Sequence, residues 1–251
     1  MMMSEPMGPA EAVMEAAVVL EGISFEPDMP KLMKHLRVRE GSRQVDELSA
    51  LVDEARAIAK PRAMYKVAYV DSKDEGGAVI DGIAFRSRVL RVNLESVHRV
   101  FPYVVTCGRE LHEWMGTHDD LLMRFYADAI SEAALRAAVG RLKGHVVRRY
   151  ALGRTATMAP GSLADWPIQE QRPLFALLGD PEEAIGVRLT ESLLMIPSKS
   201  VSGMRFPVEK RFESCQLCQR ERCPSRKAPF EEGLYERRYG SDGKGGSGPT
   251  M

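Results

Sequence analysis

Three of the four cysteines fall within nine residues, Cys215-Gln-Leu-Cys218-Gln-Arg-Glu-Arg-Cys223, a C-x2-C-x4-C spacing followed by Pro224. Soft thiolates this close together on a polar stretch converge on a metal more readily than they fill a core. The run Gln219-Arg-Glu-Arg222 is polar and is expected to bulge outward while the sulfurs turn inward. Pro224 keeps the segment from continuing as a helix. The fourth cysteine, Cys107, lies in Tyr103-Val-Val-Thr-Cys107-Gly108. Two readings suit it: a small buried hydrophobe, or the remaining ligand of a four-cysteine site. Cys107, Cys215, Cys218 and Cys223 together supply the number of thiolates that an iron–sulfur cluster or a structural zinc requires. Spacing does not choose between the two metals. His112, near Glu110 and Glu113, is a weaker candidate ligand than a surface-helix histidine. Ser200, Ser202 and Thr190 lack the strand-to-helix elbow that an activated serine needs.

The elements that must position these residues follow from periodicity. Pro30 in the first turn marks a short helix through Leu36. Val45, Leu48, Leu51, Val52, Ala55, Ile58 and Ala59 share one helical face that ends before Pro61. From Met64 the pattern turns β-rich: residues 65–70, 78–80, 83–85, 89–92 and 101–106 are expected as strands, separated by Gly76-Gly77 and Asp81-Gly82 turns. Residues 119–152 predict one long helix, in which Gly140 and Gly144 mark either a close helix contact or a kink. A short helix near 168–178 and strands at 193–196 and 200–206 follow.

With 251 residues, 44% hydrophobic and 28% charged, the chain reads as an ordinary globular protein. Its 35 basic residues balance 35 acidic ones. That argues against a nucleic-acid binder, which carries a basic excess. The N-terminus shows neither a secretory pattern nor a membrane span, so a cytoplasmic setting is expected, where metal or redox use of cysteine outweighs disulfides. Arg205, Lys210, Arg211, Arg220, Arg222, Arg226 and Lys227 make the neighbourhood of the cysteines basic. Such a region compensates an anionic cluster, docks an acidic partner, or is a solvated face.

Residues 159–207 carry a more specific pattern: Ala159-Pro-Gly161, a short amphipathic helix, Ile185-Gly-Val-Arg-Leu-Thr190-Glu-Ser192, Met195-Ile-Pro197 and Ser200-Val-Ser-Gly203. In order and spacing this resembles the activation domain of cobalamin-dependent methionine synthase, and the resemblance extends more weakly over 28–210. It implies an α+β domain with a central, mostly antiparallel sheet and packed helices. It also implies binding of S-adenosylmethionine and coverage of a corrinoid during its reductive remethylation. The family's ligand loop resembles Arg-Pro-Ala-Pro-Gly-Tyr-Pro; here Thr157 replaces the arginine and Ser162 the tyrosine. Those changes remove a bidentate carboxylate partner and apolar coverage. Backbone contacts at Ala159 and Gly161, with Asp165 and Trp166 as compensating side chains, are the candidate cofactor-binding residues.

The resulting expectation is a leader over 1–27, an activation-like domain over 28–210, a cysteine-rich segment over 211–239 and a disordered tail over 240–251. The resemblance to a reductive-activation domain favours [4Fe–4S] over zinc. The protein is then an accessory redox activator that reduces Co(II) to Co(I) on a separate corrinoid protein or B12-dependent methyltransferase, with an electron-donor protein as a further partner. The competing expectations are a zinc-stabilised module that caps a corrinoid methyltransferase without redox chemistry, and a catalytically silent S-adenosylmethionine-binding relative.

Overall fold

In the computed structural model, residues 16–210, 212–223 and 226–240 are described. The expected 240–251 tail therefore lies almost wholly outside the described residues, as does most of the 1–27 leader. The spine is β6 (Arg99–Thr106). It reads as a nearly unbroken apolar run, as a strand covered on both faces must. Phe101, Tyr103, Val105 and then Cys107 point into one core cluster, while Val100 and Val104 point to the opposite side. On one edge β6 pairs along its length with β10 (Ser200–Pro207), which in turn pairs with β7 (Thr155–Met158). On the other edge it pairs first with β2 (Arg62–Tyr65) and then with β3 (Ala68–Lys73). β1 (Val18–Leu20) extends the sheet beyond β2; β4 (Gly77–Ile80) and β5 (Ile83–Arg86) extend it beyond β3. Every pairing is antiparallel.

The run expected as one strand over 65–70 is broken at Lys66–Val67, where β2 hands over to β3. This break explains a proline inside a central strand. The Pro102 carbonyl accepts from Lys66 N at 3.1 Å across the gap. The missing Pro102 N–H faces the same interruption, where no ladder bond is forfeited. Lys66 is buried at the kink and ion-paired to Asp81 at 3.0 Å. Asp81 and Gly82 both take positive φ, 45° and 77°, in the tight turn joining β4 and β5.

One face of the sheet is covered by α1 (Met29–Leu36), α2 (Arg43–Ile58), α4 (Arg109–Gly116) and α5 (Leu121–Arg149). Asp120 starts α5 by accepting from the Leu122 and Met123 amides at 2.8 and 2.9 Å. The helix runs uninterrupted through Gly140 and Gly144. A Cβ at Gly140 would meet open space, so no tight contact explains it. The other face holds α3 (Arg88–Asn93), α6 (Gln171–Leu178), α7 (Pro181–Ile185) and α8 (Leu234–Tyr239). The expected strand at 89–92 is therefore a helix. Ser87 caps it, accepting from Leu90 N at 2.9 Å, and the four residues Val89-Leu-Arg-Val92 have no period long enough to exclude that outcome. A small hairpin, β8 (Arg188–Leu189) with β9 (Met195–Ile196), completes the order. No helix is long and apolar enough to cross a membrane among the described residues.

Candidate ligand loop and cysteine segment

β7 ends at Met158 and leads into the loop 159–167. Gly161 has φ +79°, and a Cβ there would come within 2.9 Å of Ile168 Cδ1, so both backbone and space call for glycine. Its amide donates to Trp166 O at 2.7 Å, while Ala159 O accepts from Ser162 N at 3.1 Å and Ser162 Oγ at 2.6 Å. Trp166 is fully buried and meets Phe85 edge-on at 6.4 Å between ring centroids. It anchors the loop from beneath. Asp165 is engaged three ways: it accepts from Ser87 Oγ at 2.5 Å, Val89 N at 2.9 Å and Tyr235 Oη at 3.1 Å. One carboxylate thus ties the loop to the start of α3 and to α8.

The C-terminal segment packs as part of the body. Phe212 and Tyr239 are buried in the cluster that holds Trp166. Tyr239 Oη donates to Asn93 Oδ1 at 3.3 Å, and Arg88 Nη2 donates to Gly240 O at 2.9 Å. Between the 162–165 loop and this segment lies a cleft of about 990 Å³. Leu163, Asp165, Leu217, Cys218, Phe230 and Tyr235 line it.

The four cysteines are not brought together. Cys107 has no exposed surface and belongs to the cluster under α5; burial pushes its thiol up to about 12. Its amide donates to Lys199 O at 3.0 Å, at the start of β10. The cysteine segment docks at the far end, where Ser214 Oγ donates to Thr157 O at 3.4 Å opposite Arg205. Five residues of β10 separate the two places, roughly 17 Å of strand, and Cys218 packs on the opposite core cluster. Cys215, Cys218 and Cys223 are half-buried on the short segment after β10. The Arg226 guanidinium donates to the carbonyls of Cys215 at 3.2 Å, Ala228 at 3.3 Å and Cys218 at 3.3 Å, and also to that of Arg220. Cys215 Sγ accepts from Lys227 N at 3.4 Å. Among the described residues no three His, Cys, Asp or Glu side chains are placed to hold a metal. His112 lies on α4 with Nδ1 3.4 Å from Ser198 Oγ.

In the sequence Arg205 is one of several basic residues, yet in the fold it is 7% exposed. Its burial had no readable signal, because β10 is covered on both faces and its pattern does not alternate. The sequence offers Asp165 as a ligand contact; because residues 89–92 read as a strand, its support of the first turn of α3 through Val89 N carries no signal there.

An antiparallel sheet with helices on both faces and a glycine loop leaving one of its outer strands defines an α+β domain. Residues 147–223 match the family model described as vitamin B12 dependent methionine synthase, activation domain. Among solved structures, one titled "Crystal Structure of the MetH Reactivation Domain bound to AdoHcy" is similar at a TM-score of 0.54 and 18% identity, covering 83% of this chain and 84% of that one. The chain has the fold of that domain and resembles the family's sequence through the loop, β10 and the cysteine segment. No curated protein matches the sequence.

Proposed function

We propose that this protein reactivates a separate corrinoid protein, with an S-adenosylmethionine-type ligand held at the 157–161 segment. The observation that carries this reading is the coincidence of two likenesses in one chain. The family match spans residues 147–223, and the fold is that of a reactivation domain whose solved form holds AdoHcy. The reaction this requires is one electron onto the partner's Co(II), then transfer of the sulfonium methyl to Co(I). That leaves methylcobalt(III) and S-adenosylhomocysteine. The chain's own contribution is to bind and orient the ligand: backbone polar groups at Ala159 and Gly161 are fixed by the loop, and Asp165 and Trp166 hold that loop rigid from behind. An external donor supplies the electron.

Electron delivery through a cluster on all four cysteines is not part of this proposal, because Cys107 is walled off from the other three. The C-x2-C-x4-C spacing still supports a metal, iron or zinc, on Cys215, Cys218 and Cys223 alone. Iron, sulfide and zinc analysis after anaerobic purification tests that finer reading; protein with less than a tenth of an equivalent of any of them ends it. The function itself is tested with the isolated corrinoid-binding fragment of a B12-dependent methionine synthase in its Co(II) form. With reductant and S-adenosylmethionine, this protein is expected to accelerate formation of methylcobalt. A rate equal to that without protein refutes the reading.

A further inference from the structure

Among the described residues two cationic side chains are buried, Lys66 and Arg205. Lys66 is neutralised by Asp81 at 3.0 Å. Arg205 has no carboxylate partner among the described residues: Nη1 donates to Thr155 Oγ1 at 2.8 Å, and Nε is enclosed with no acceptor. A buried guanidinium without a counter-ion is costly, and groups perturbed in this way cluster at functional sites.

The groups around Arg205 are polar and lie on adjoining strands. β10 pairs Arg205 with Thr157 on β7, and β7 pairs with no other strand. Thr155 and Thr157 are half-buried there, on the face of the sheet that carries Arg205. Gly203, two residues before Arg205, leaves room for a phenol: a Cβ there would lie 2.9 Å from Tyr103 Oη and 2.5 Å from Met158 O. The Tyr103 hydroxyl fills that gap, on the sheet face that also carries Thr157. One guanidinium, one phenol and two threonine hydroxyls therefore sit on neighbouring strands, immediately before the loop at 159–161.

We propose that Arg205 is the anion anchor of this site, receiving from β10 the carboxylate of an amino-acid-bearing ligand that lies along residues 157–161. The assignment rests on the ligand reading above and deepens it by naming the side chain that recognises the carboxylate. Neighbouring strands lie about 5 Å apart, so a guanidinium on β10 reaches a group seated over β7. Its planar fork suits a carboxylate, which accepts two parallel N–H bonds.

Two probes separate the possibilities: S-adenosylhomocysteine, which carries the carboxylate, and 5′-methylthioadenosine, which shares the adenosine and thioether but has none. Titration calorimetry is run on the full chain, on Arg205→Met and on Arg205→Lys. Arg205→Met is expected to weaken S-adenosylhomocysteine about 10- to 100-fold and to change methylthioadenosine by less than about twofold, with Arg205→Lys intermediate. Without ligand, Arg205→Met is expected to melt at or above the parent temperature, because an unpaired buried charge has been removed. Equal weakening of both probes, or of neither, overturns the assignment while leaving the ligand reading intact, and so does a melting temperature that falls with Arg205→Met. Absence of S-adenosylhomocysteine binding by the parent chain overturns both.

Discussion

Replacing Asp165 with alanine removes a junction between three parts of the chain, and its cost follows from the geometry. The carboxylate accepts from Ser87 Oγ at 2.5 Å, Val89 N at 2.9 Å and Tyr235 Oη at 3.1 Å. Hydrogen bonds to a charged acceptor contribute about 1.5–3 kcal/mol each. Asp165 is partly exposed, so water replaces some of that. The loss is nevertheless compounded at Ser87, whose hydroxyl is buried and also accepts from Leu90 N at 2.9 Å. A net destabilisation of about 3 kcal/mol follows, which for a chain of this length lowers Tm by roughly 6–12 °C. Asp165→Asn keeps an acceptor and is expected to lose about a third as much. The sharper measurement is a double-mutant cycle. Tyr235→Phe alone costs about 1 kcal/mol, and in the Asp165→Ala background it costs nothing further, because its acceptor has already gone. Urea titrations of the four proteins give both quantities. A Tm change under about 2 °C for Asp165→Ala, or full additivity in the cycle, would show that the carboxylate does not join α8 to the loop.

Alkylation separates the cysteines. Only thiolate reacts, and a thiol raised to about 12 is ionised at roughly one part in ten thousand at pH 8. Iodoacetamide is therefore expected to modify Cys215, Cys218 and Cys223 in the native protein and Cys107 only after unfolding. Native labelling of Cys107 at the rate of the others contradicts its burial. His145 supplies a pH dependence: desolvation, then the charges of Arg141, Arg149 and Arg148, hold its imidazole below the ordinary value. The unfolded chain therefore binds this proton more readily than the folded one. Stability contributed by the neutral ring is fully present above about pH 6.5 and is lost as pH falls from there through the lower value of the folded state. The parent should lose Tm between pH 7 and pH 5 more steeply than His145→Gln, and parallel curves would remove His145 from the account. Gly203→Ala forces a methyl against Met158 O and Tyr103 Oη. It should cost about 1–3 kcal/mol and weaken S-adenosylhomocysteine. An unchanged denaturation midpoint would mean the strands can yield there.

What was legible in the sequence tracks how local each signal is. Long helices announce themselves over many turns, as α2 and α5 do, and the Asp81-Gly82 turn needs only its own two residues. The handover from β2 to β3 was not legible. Lys66 and Val67 look like the middle of a strand, and only the neighbouring strand, with its proline at 102, reveals the break. The helix at 88–93 was hidden for the same reason, since half of what fixes its first turn comes from Asp165, more than seventy residues away. At the site, the Ala159-Pro-Gly161 loop was visible because glycine leaves a local mark. Arg205 was not, because nothing in Ser-Val-Ser-Gly-Met-Arg-Phe says which faces of that strand are covered.

The cysteine segment shows why spacing is weaker than placement. C-x2-C-x4-C fixes how far apart three sulfurs are along the chain, and it says nothing about whether a fourth can reach them. Cys107 directly follows a strand whose Phe101, Tyr103 and Val105 lie in the cluster under α5, and it continues their two-residue period. Moving it toward the tail would require turning Phe101, Tyr103 and Val105 out of the same core. The tail, meanwhile, is held by Phe212 and Tyr239 in the opposite cluster. A shared centre would therefore need both halves of the core to open, whereas a site confined to Cys215, Cys218 and Cys223 needs only the segment around Arg226 to rearrange. Any metal found on this protein should accordingly survive Cys107→Ala, and its loss in that variant would overturn the placement of the strand itself.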